Sequence, residues 1–311
     1  YAAQMHRVER FPLSGGNGAP APGTVAPPVT VGRQGELLAD DLPDGPCADH
    51  GYRSIAVDPA KSSVYVGVGM LCNVCIEEGP EAEKLATVRR YPLPSPGTAA
   101  PAPAAPGAPS RPGAEHARGM RNVVGMALNP WDGTLWGGNV ERDEQGDDEP
   151  PDQITRIPAG GDFGWPYCFW TRDGAWRTET RVPGREPSCA DSGLTIPTLT
   201  YQAHSTPLGL AFHDGRGLPP AFGPSLFVAL HGSWNHTVGV GFKVIRVPLD
   251  DAGQPEGLPQ EFASGWLSGL AERVQEKAWG RPVSVAVGLD GALFVSDDKA
   301  GAVYRLAHTG R

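Results

Sequence analysis

Long apolar runs are missing from this chain of 311 residues, and no stretch is long enough to serve as a transmembrane helix. Basic charge is scarce too: 26 Lys and Arg stand against 35 Asp and Glu, for a formal charge of −9 and a pI near 5.4. That balance argues against nucleic acid or an anionic membrane surface as a partner, since either needs a basic face. Helical periodicity is lacking as well. With 42 Gly and 33 Pro the chain is rich in turn formers, which disfavours a helical protein. No secretory leader is visible ahead of the opening YAAQMHRVERFPL, which reads as the middle of a domain; a processed or truncated N-terminus is expected.

Cysteine is sparse, at five residues: Cys47, Cys72, Cys75, Cys168 and Cys189. The stretch LCNVCIEEGP offers only carboxylates beside Cys72 and Cys75, too few soft ligands for zinc, and no βαβ pattern accompanies this C-x-x-C as a thioredoxin-type redox pair would require. Cys168 and Cys189 flank one loop region. Disulfides are the favoured reading, and with them a secreted, extracellular or periplasmic location. Cys47 is then the odd residue, a free thiol or the partner of something outside this chain.

What the sequence does have is a repeat. A small-residue signature opens SIAVDP at Ser54, GMALNP at Gly125, GLAFHDG at Gly209 and SVAVGLDG at Ser284. A second apolar strand follows each (SVYVGVG, GTLWGGN, PSLFVALHG, GALFVSDD), and later a third (LATVRRYPL, DQITRIPAG, FKVIRVPLD, GAVYRLAHT). Multi-strand units recurring every several tens of residues mark a propeller or solenoid, and antiparallel blades suit these strands. The expected fold is therefore an all-β propeller occupying residues 1–311 as one domain, with a β-sandwich as competitor. HRVERFPL matches only the last strand of the unit, so four full blades plus the tail of another are expected, with the first blades upstream. Residues 15–28 and 94–113 are Pro/Ala/Gly-rich and read as flexible excursions, not as domain boundaries. AERVQEKAW, at residues 271–279, is expected to form a helical turn or two.

Residues 121–167 carry the densest signals. Two strands turn at Asp132-Gly133, an acidic loop covers residues 141–152, and a further strand ends in the aromatic corner GWPY. Carboxylates and carbonyls gathered in one Gly/Pro-rich loop suit a hard cation such as Ca²⁺, although an acidic run is more often a solvated face.

The motifs CNVC, RNVVGMALNP, ERDEQGDDEPPD, GGDFGWPY, AHSTPLGLAF, FVALHGSWNH and RPVSVAVGLDG, in this order, resemble the glucose/sorbosone dehydrogenase family, and its sorbosone branch more than its glucose branch. Those proteins are six-bladed propellers that bind pyrroloquinoline quinone (PQQ) and Ca²⁺ and oxidise sugars. The resemblance places a catalytic base at His50. It places cofactor contacts at Arg121, Asn122 and Arg281 and suggests one at Arg53; by residue type, the loop of His231 and Asn235 could meet a planar cofactor or a sugar, or Trp234 could simply pack between blades. The resemblance puts Ca²⁺ at the carbonyls of about Asp143 and Glu144, with Glu141, Asp147, Asp148 and Asp152 as ligands or tuners. Departures are Val124 where glucose-specific relatives have glutamine, His236 where arginine is usual after HGSWN, and no lysine near residues 227–232, the nearest being Lys243.

The chemistry of these residue types agrees with that placement. A neutral imidazole, with an ordinary pKa of about 6.5, can take a hydroxyl proton while hydride leaves carbon. Guanidinium forks pair with carboxylates and hold charge on a reduced quinone. Ser233 and Trp234 complete a polar–aromatic loop suited to stacking on a ring. His204 is expected to order its own loop. The implied partners are a small sugar and an external electron acceptor. Two rivals keep the fold: a non-catalytic propeller binding a glycan or protein, and a lactonase-like hydrolase with a metal held by side chains.

Overall fold

The computed structural model describes residues 50–76, 82–93, 113–182, 189–269 and 277–309, with short pieces at 2–3, 7–10, 13–14, 30–31, 36–39 and 41–43. Strands β1 (Ala2–Ala3), β2 (Val8–Arg10), β3 (Leu13–Ser14), β4 (Thr30–Val31) and β5 (Glu36–Ala39) come first; they form a three-stranded sheet, β1-β2-β5, and a two-stranded one, β3-β4. The opening segment is thus no lone strand: β2 is flanked on both sides. Cys47, residues 15–28, residues 94–112 and most of the helical turn expected at 271–279 lie outside the described residues.

Blade I contains β6 (Ile55–Asp58), β7 (Ser63–Val68), β8 (Thr87–Pro92) and β9 (Ala114–Arg118). Blade II begins with β10 (Val123–Leu128), β11 (Leu135–Asn139) and β12 (Asp152–Arg156). The chain then sends β13 (Gly161–Asp162) back to pair in parallel with β9, and makes the hairpin β14 (Cys168–Trp170) and β15 (Trp176–Thr178). It completes blade II with β16 (Leu199–Tyr201). Blade III is β17 (Pro207–His213), β18 (Ser225–Leu230), β19 (Lys243–Pro248) and β20 (Gln260–Ala263); blade IV is β21 (Pro282–Val287), β22 (Leu293–Asp297) and β23 (Ala302–Leu306). Within each blade consecutive strands pair antiparallel, and the inner strands β6, β10, β17 and β21 pack side by side. This is the all-β propeller that the repeat predicts.

The second strands show why the sheets stack. Strand β18, SLFVAL, is buried at every position. Its side chains alternate between faces, so Leu226, Val228 and Leu230 enter the core shared with Trp136 and Ile154 of blade II. Phe227 and Ala229 enter the core shared with Leu293 and Val295 of blade IV. Likewise Val64, Val66 and Val68 of β7 pack towards Leu38 and Ala39, while Tyr65 packs towards Met120, Val123 and Leu135. A strand covered on both faces reads as a continuous apolar run.

The repeat signature also has a steric cause. The inner strands approach one another at its first residue. A Cβ on Gly125 would sit 1.6 Å from the Leu208 carbonyl oxygen, and one on Gly209 would sit 2.5 Å from the Ser284 Cα. At the equivalent position Ser54 Oγ donates to the Val123 carbonyl at 2.6 Å. Only glycine or serine is accommodated where one blade's backbone meets the next.

Candidate functional site

Inner strands β6, β10, β17 and β21 begin just after Arg53, Asn122, Thr206 and Arg281 respectively. Because the blades are equivalent, these residues and the loops entering beside them gather at one end of the propeller.

His50 is buried there, and its Nδ1 lies 2.8 Å from the Met70 carbonyl oxygen. A carbonyl can only accept, so Nδ1 carries the proton and Nε2 bears the imidazole lone pair. Asn122 is a neighbour: a Cβ on Gly69 would fall 2.6 Å from Asn122 Oδ1 and 2.8 Å from His50 Cβ. Arg53 donates to the His50 and Pro43 carbonyls at 3.1 and 3.2 Å, which fixes the backbone that carries the imidazole.

Arg121 is 2% exposed and directs all three nitrogens into the protein. Nε and Nη2 reach the backbone oxygen and Oδ1 of Asn73, Nη1 reaches the Val140 and Glu141 carbonyls, and Nη2 lies 3.5 Å from Asp143 Oδ2. Asn73 sits inside the Cys72–Cys75 disulfide, and its Oδ1 also accepts from Asp143 N–H at 2.8 Å. The sequence reading missed Asn73; its position between two bridged cysteines was the available signal. Arg281 behaves in the same way, donating to the His231 and Gly232 carbonyls at 3.1 and 2.5 Å with its guanidinium over the Phe242 ring. The arginines expected to face a ligand thus donate to the carbonyls of the loops beside them.

His231 Nε2 lies 3.0 Å from Asp298 Oδ1, a partner the sequence reading did not foresee. Burial, assisted by the Arg281 charge, holds His231 below the usual histidine pKa despite that carboxylate. Asn235 donates to Asp143 Oδ1 at 2.8 Å, and its own Oδ1 is buried without a hydrogen-bond partner, as is Nε2 of His236. Ser233 is buried against Val240, whereas Trp234 is 60% exposed.

The acidic loop is split between buried and exposed carboxylates and is not a cage of carboxylates. Glu141 is buried and accepts from Asn139 and Gln153 at 2.7 and 2.8 Å; burial pushes its carboxyl up to about 8, against the pull of Arg121. Asp152 accepts from the backbone N–H of Glu141 and Thr206, and burial raises it to about 6. Burial would raise Asp143 as well, but His204, Arg121 and Asn235 outweigh it and hold the carboxyl below its usual range. Glu144 points outward to Arg181. The carboxylates of Glu141, Asp143 and Glu144 therefore diverge, and no cluster of three His, Cys, Asp or Glu side chains suited to a metal occurs among the described residues. The carbonyl of Asp143 accepts from Asn73 and Arg142, and that of Glu144 from Arg181.

His204 bridges two loops. Its Nε2 donates to the Gly146 carbonyl at 2.8 Å, and its Nδ1 stands 3.6 Å from Asp143 Oδ1. Although burial works the other way, these partners raise its pKa above the usual value. The expectation that His204 orders a loop is met, but the loop is the acidic one as well as its own. Glu144, His204 and Thr206 all hold positive φ, at 68°, 64° and 59°. Three such non-glycine residues crowd this one end, where the hydrogen bonds above keep them in place.

Comparison with known proteins follows the same outline. A family profile described as TrAA12-like matches residues 45–309. A pyrroloquinoline quinone-dependent pyranose dehydrogenase of Coprinopsis cinerea is 28% identical over 164 residues, covering 45% of this chain and 22% of its own length. A pyrroloquinoline quinone-dependent sugar dehydrogenase of Hypocrea jecorina is 23% identical over 215 residues, covering 60% of this chain and 47% of its own. The chain spans about half the length, or less, of the curated relatives it matches. Among solved structures, the holo pyranose dehydrogenase PQQ domain from Coprinopsis cinerea superposes with a TM-score of 0.68 at 20% identity, over 90% of this chain and 74% of that one. The calcium structure of the Trichoderma reesei family AA12 enzyme gives 0.68 at 19%, over 89% and 72%. At these identities the likeness establishes the fold.

Proposed function

Because this chain belongs to the TrAA12-like family, we propose that it acts in PQQ-dependent oxidation of a sugar, an aldose or a sorbosone-like substrate, outside the cytoplasm. The observation that carries this reading is the state of His50. It is buried at the end where the inner strands begin, and its Nδ1–H is fixed on the Met70 carbonyl so that Nε2 offers a lone pair. A base so oriented can take the proton of a sugar hydroxyl as the C–H bond breaks.

The residues present fit the quinone. Arg53, Arg121 and Arg281 bring positive charge to that end whatever carbonyls they bond, which suits a ligand with three carboxylates. Asn122 and Asn235 supply amides, and the buried Asn235 Oδ1 awaits a donor. When bound, the quinone would accept the hydride and pass electrons to an external acceptor. His50 would hold the proton at Nε2, with Arg53 and Met70 keeping the ring in position. The diverging carboxylates do not fit a side-chain Ca²⁺ cage among the described residues.

The two disulfides, Cys72–Cys75 and Cys168–Cys189, support a secreted or periplasmic location. The experiment is to add PQQ, with and without Ca²⁺, to purified protein and to follow dye reduction with a panel of aldoses and sorbosone. Turnover that requires PQQ is expected. A full-length protein that binds PQQ with no spectral change and reduces no dye would leave the glycan- or protein-binding propeller as the better reading.

A further inference from the structure

The opposite end of the propeller carries a second feature. The turns that close β6–β7 and β10–β11 lie away from His50, and beside them a cleft of about 610 Å³ opens between blades I and II. That volume falls within the range of roughly 300–1,000 Å³ typical of small-molecule sites. Three cations line it, Lys61, Arg90 and Arg156, against one lining carboxylate, Asp132. In a chain of net charge −9 this concentration of positive charge stands out.

The three cations are not equally neutralised. Lys61 is paired with Asp58 at 3.1 Å and donates to the Gly133 carbonyl. Arg156 lies over the Trp136 ring and 3.8 Å from Asp132, and its Nε is buried without a hydrogen-bond partner. Arg90 donates through Nε to Ser63 Oγ, and among the described residues no carboxylate pairs with it. Its field is felt locally: burial lowers the pKa of His116, and the Arg90 and Lys61 charges lower it further, so the imidazole adds a neutral polar edge. Leu135, Ile157 and the exposed Ile196 give the wall an apolar strip, beside the hydroxyls of Thr134, Thr195 and Thr198.

We propose that this cleft binds a small organic anion. The ligand would set a carboxylate, sulfonate or phosphate group against Arg90 and Arg156 and lay an apolar body along Leu135, Ile157 and Ile196. Both halves of the ligand are needed. An unpaired guanidinium gains most from an oxyanion, and burial of the body against the aliphatic wall supplies affinity that a bare ion lacks. The site is distinct from the one around His50, and ligands at the two ends do not compete.

The test uses 8-anilinonaphthalene-1-sulfonate as probe, with uncharged N-phenyl-1-naphthylamine as control, in fluorescence titrations of the whole protein. One saturable, salt-sensitive site is expected for the sulfonate, with much weaker binding of the neutral analogue. Arg90→Gln and Arg156→Gln should each weaken the sulfonate by about ten-fold or more, the loss of one charged hydrogen bond. Arg172→Gln, on a surface ion pair elsewhere, should leave it unchanged. Arg156→Gln also removes a contact with Trp136, so Arg90→Gln, which alters an exposed side chain, decides the matter if the other variant unfolds. Unchanged sulfonate binding in folded Arg90→Gln, or equal binding of the neutral probe, would overturn the proposal.

Discussion

Arg142 and Glu179 form an ion pair at 2.5 Å with both side chains 1% exposed. The pair joins the acidic loop to the segment after β15, and it does not stand alone. Arg181 donates to the carboxylate and carbonyl of Glu144, while Arg172 pairs with Asp148 and gives its backbone N–H to Glu149. The hairpin β14–β15 and the segment behind it, closed by Cys168–Cys189, therefore clamp the loop that lies beside the candidate site. Charges that look in sequence like a cation cage are largely answered by arginines. Removing one partner of a buried pair strands the other charge, at a cost of about 3–5 kcal/mol. Glu179→Ala should lower stability by that amount in urea unfolding. The double variant Arg142→Met, Glu179→Leu should recover most of it, since no buried charge remains. Equal losses in the single and double variants would show that packing alone is at stake.

Glu141 sets a pH dependence whose sign runs opposite to that of most carboxylates. Its folded pKa, about 8, lies above the ordinary value of 4.5. The folded state therefore holds a proton that the unfolded state releases first. The stabilising contribution is complete below about pH 4.5 and fades as pH rises to about 8. Glu141→Gln keeps a neutral acceptor for Asn139 and Gln153 while removing the titration. In chelator-treated protein, the melting temperature of the wild type relative to this variant should fall between pH 5 and pH 8. A constant difference over that range would place the Glu141 pKa near its ordinary value.

His50→Ala tests the proposed chemistry, and far-UV circular dichroism of the variant checks the fold, because the ring also holds the Met70 carbonyl. Loss of a general base lowers kcat by about 10²–10⁴-fold. The KM for the sugar should change little, and PQQ binding followed by absorbance should persist. A variant that loses quinone binding along with turnover would give His50 a binding role.

The blades were legible because their cause is local. A run such as SLFVAL is apolar throughout since both faces of β18 are covered, and Ser54, Gly125 and Gly209 recur because neighbouring inner strands approach closely there. The fourth strands β9, β16 and β20 escaped notice: AEHAR, LTY and QEFA are short, half exposed and lack alternation. Placing His50, Arg53, Asn122 and Arg281 at one end needed only the repeat. Their partners could not be read the same way. Asn235 meets Asp143 across 92 residues and His231 meets Asp298 across 67, and nothing in either segment encodes the other. The arginines illustrate the limit: the sequence places them near the entries to inner strands, but the direction of each fork depends on carbonyls supplied by neighbouring loops.

Two glycines separate the steric cause from the conformational one. Gly125 lies on β10, where a Cβ would meet the Leu208 carbonyl oxygen at 1.6 Å, a contact between backbones that no rotamer change relieves. Gly133 turns the β10–β11 hairpin at φ +68°, and a Cβ there would have only Lys61 Nζ nearby, at 3.9 Å. Gly133→Ala should then cost only the left-handed backbone penalty, about 1–2 kcal/mol. Gly125→Ala must push blade III away from blade II and should cost more than the roughly 1–3 kcal/mol of ordinary overpacking. Urea unfolding of both variants checks the order. If Gly125→Ala proved the milder change, the blades would be free to separate at their inner strands, and the recurrence of glycine and serine there would need a cause other than close approach.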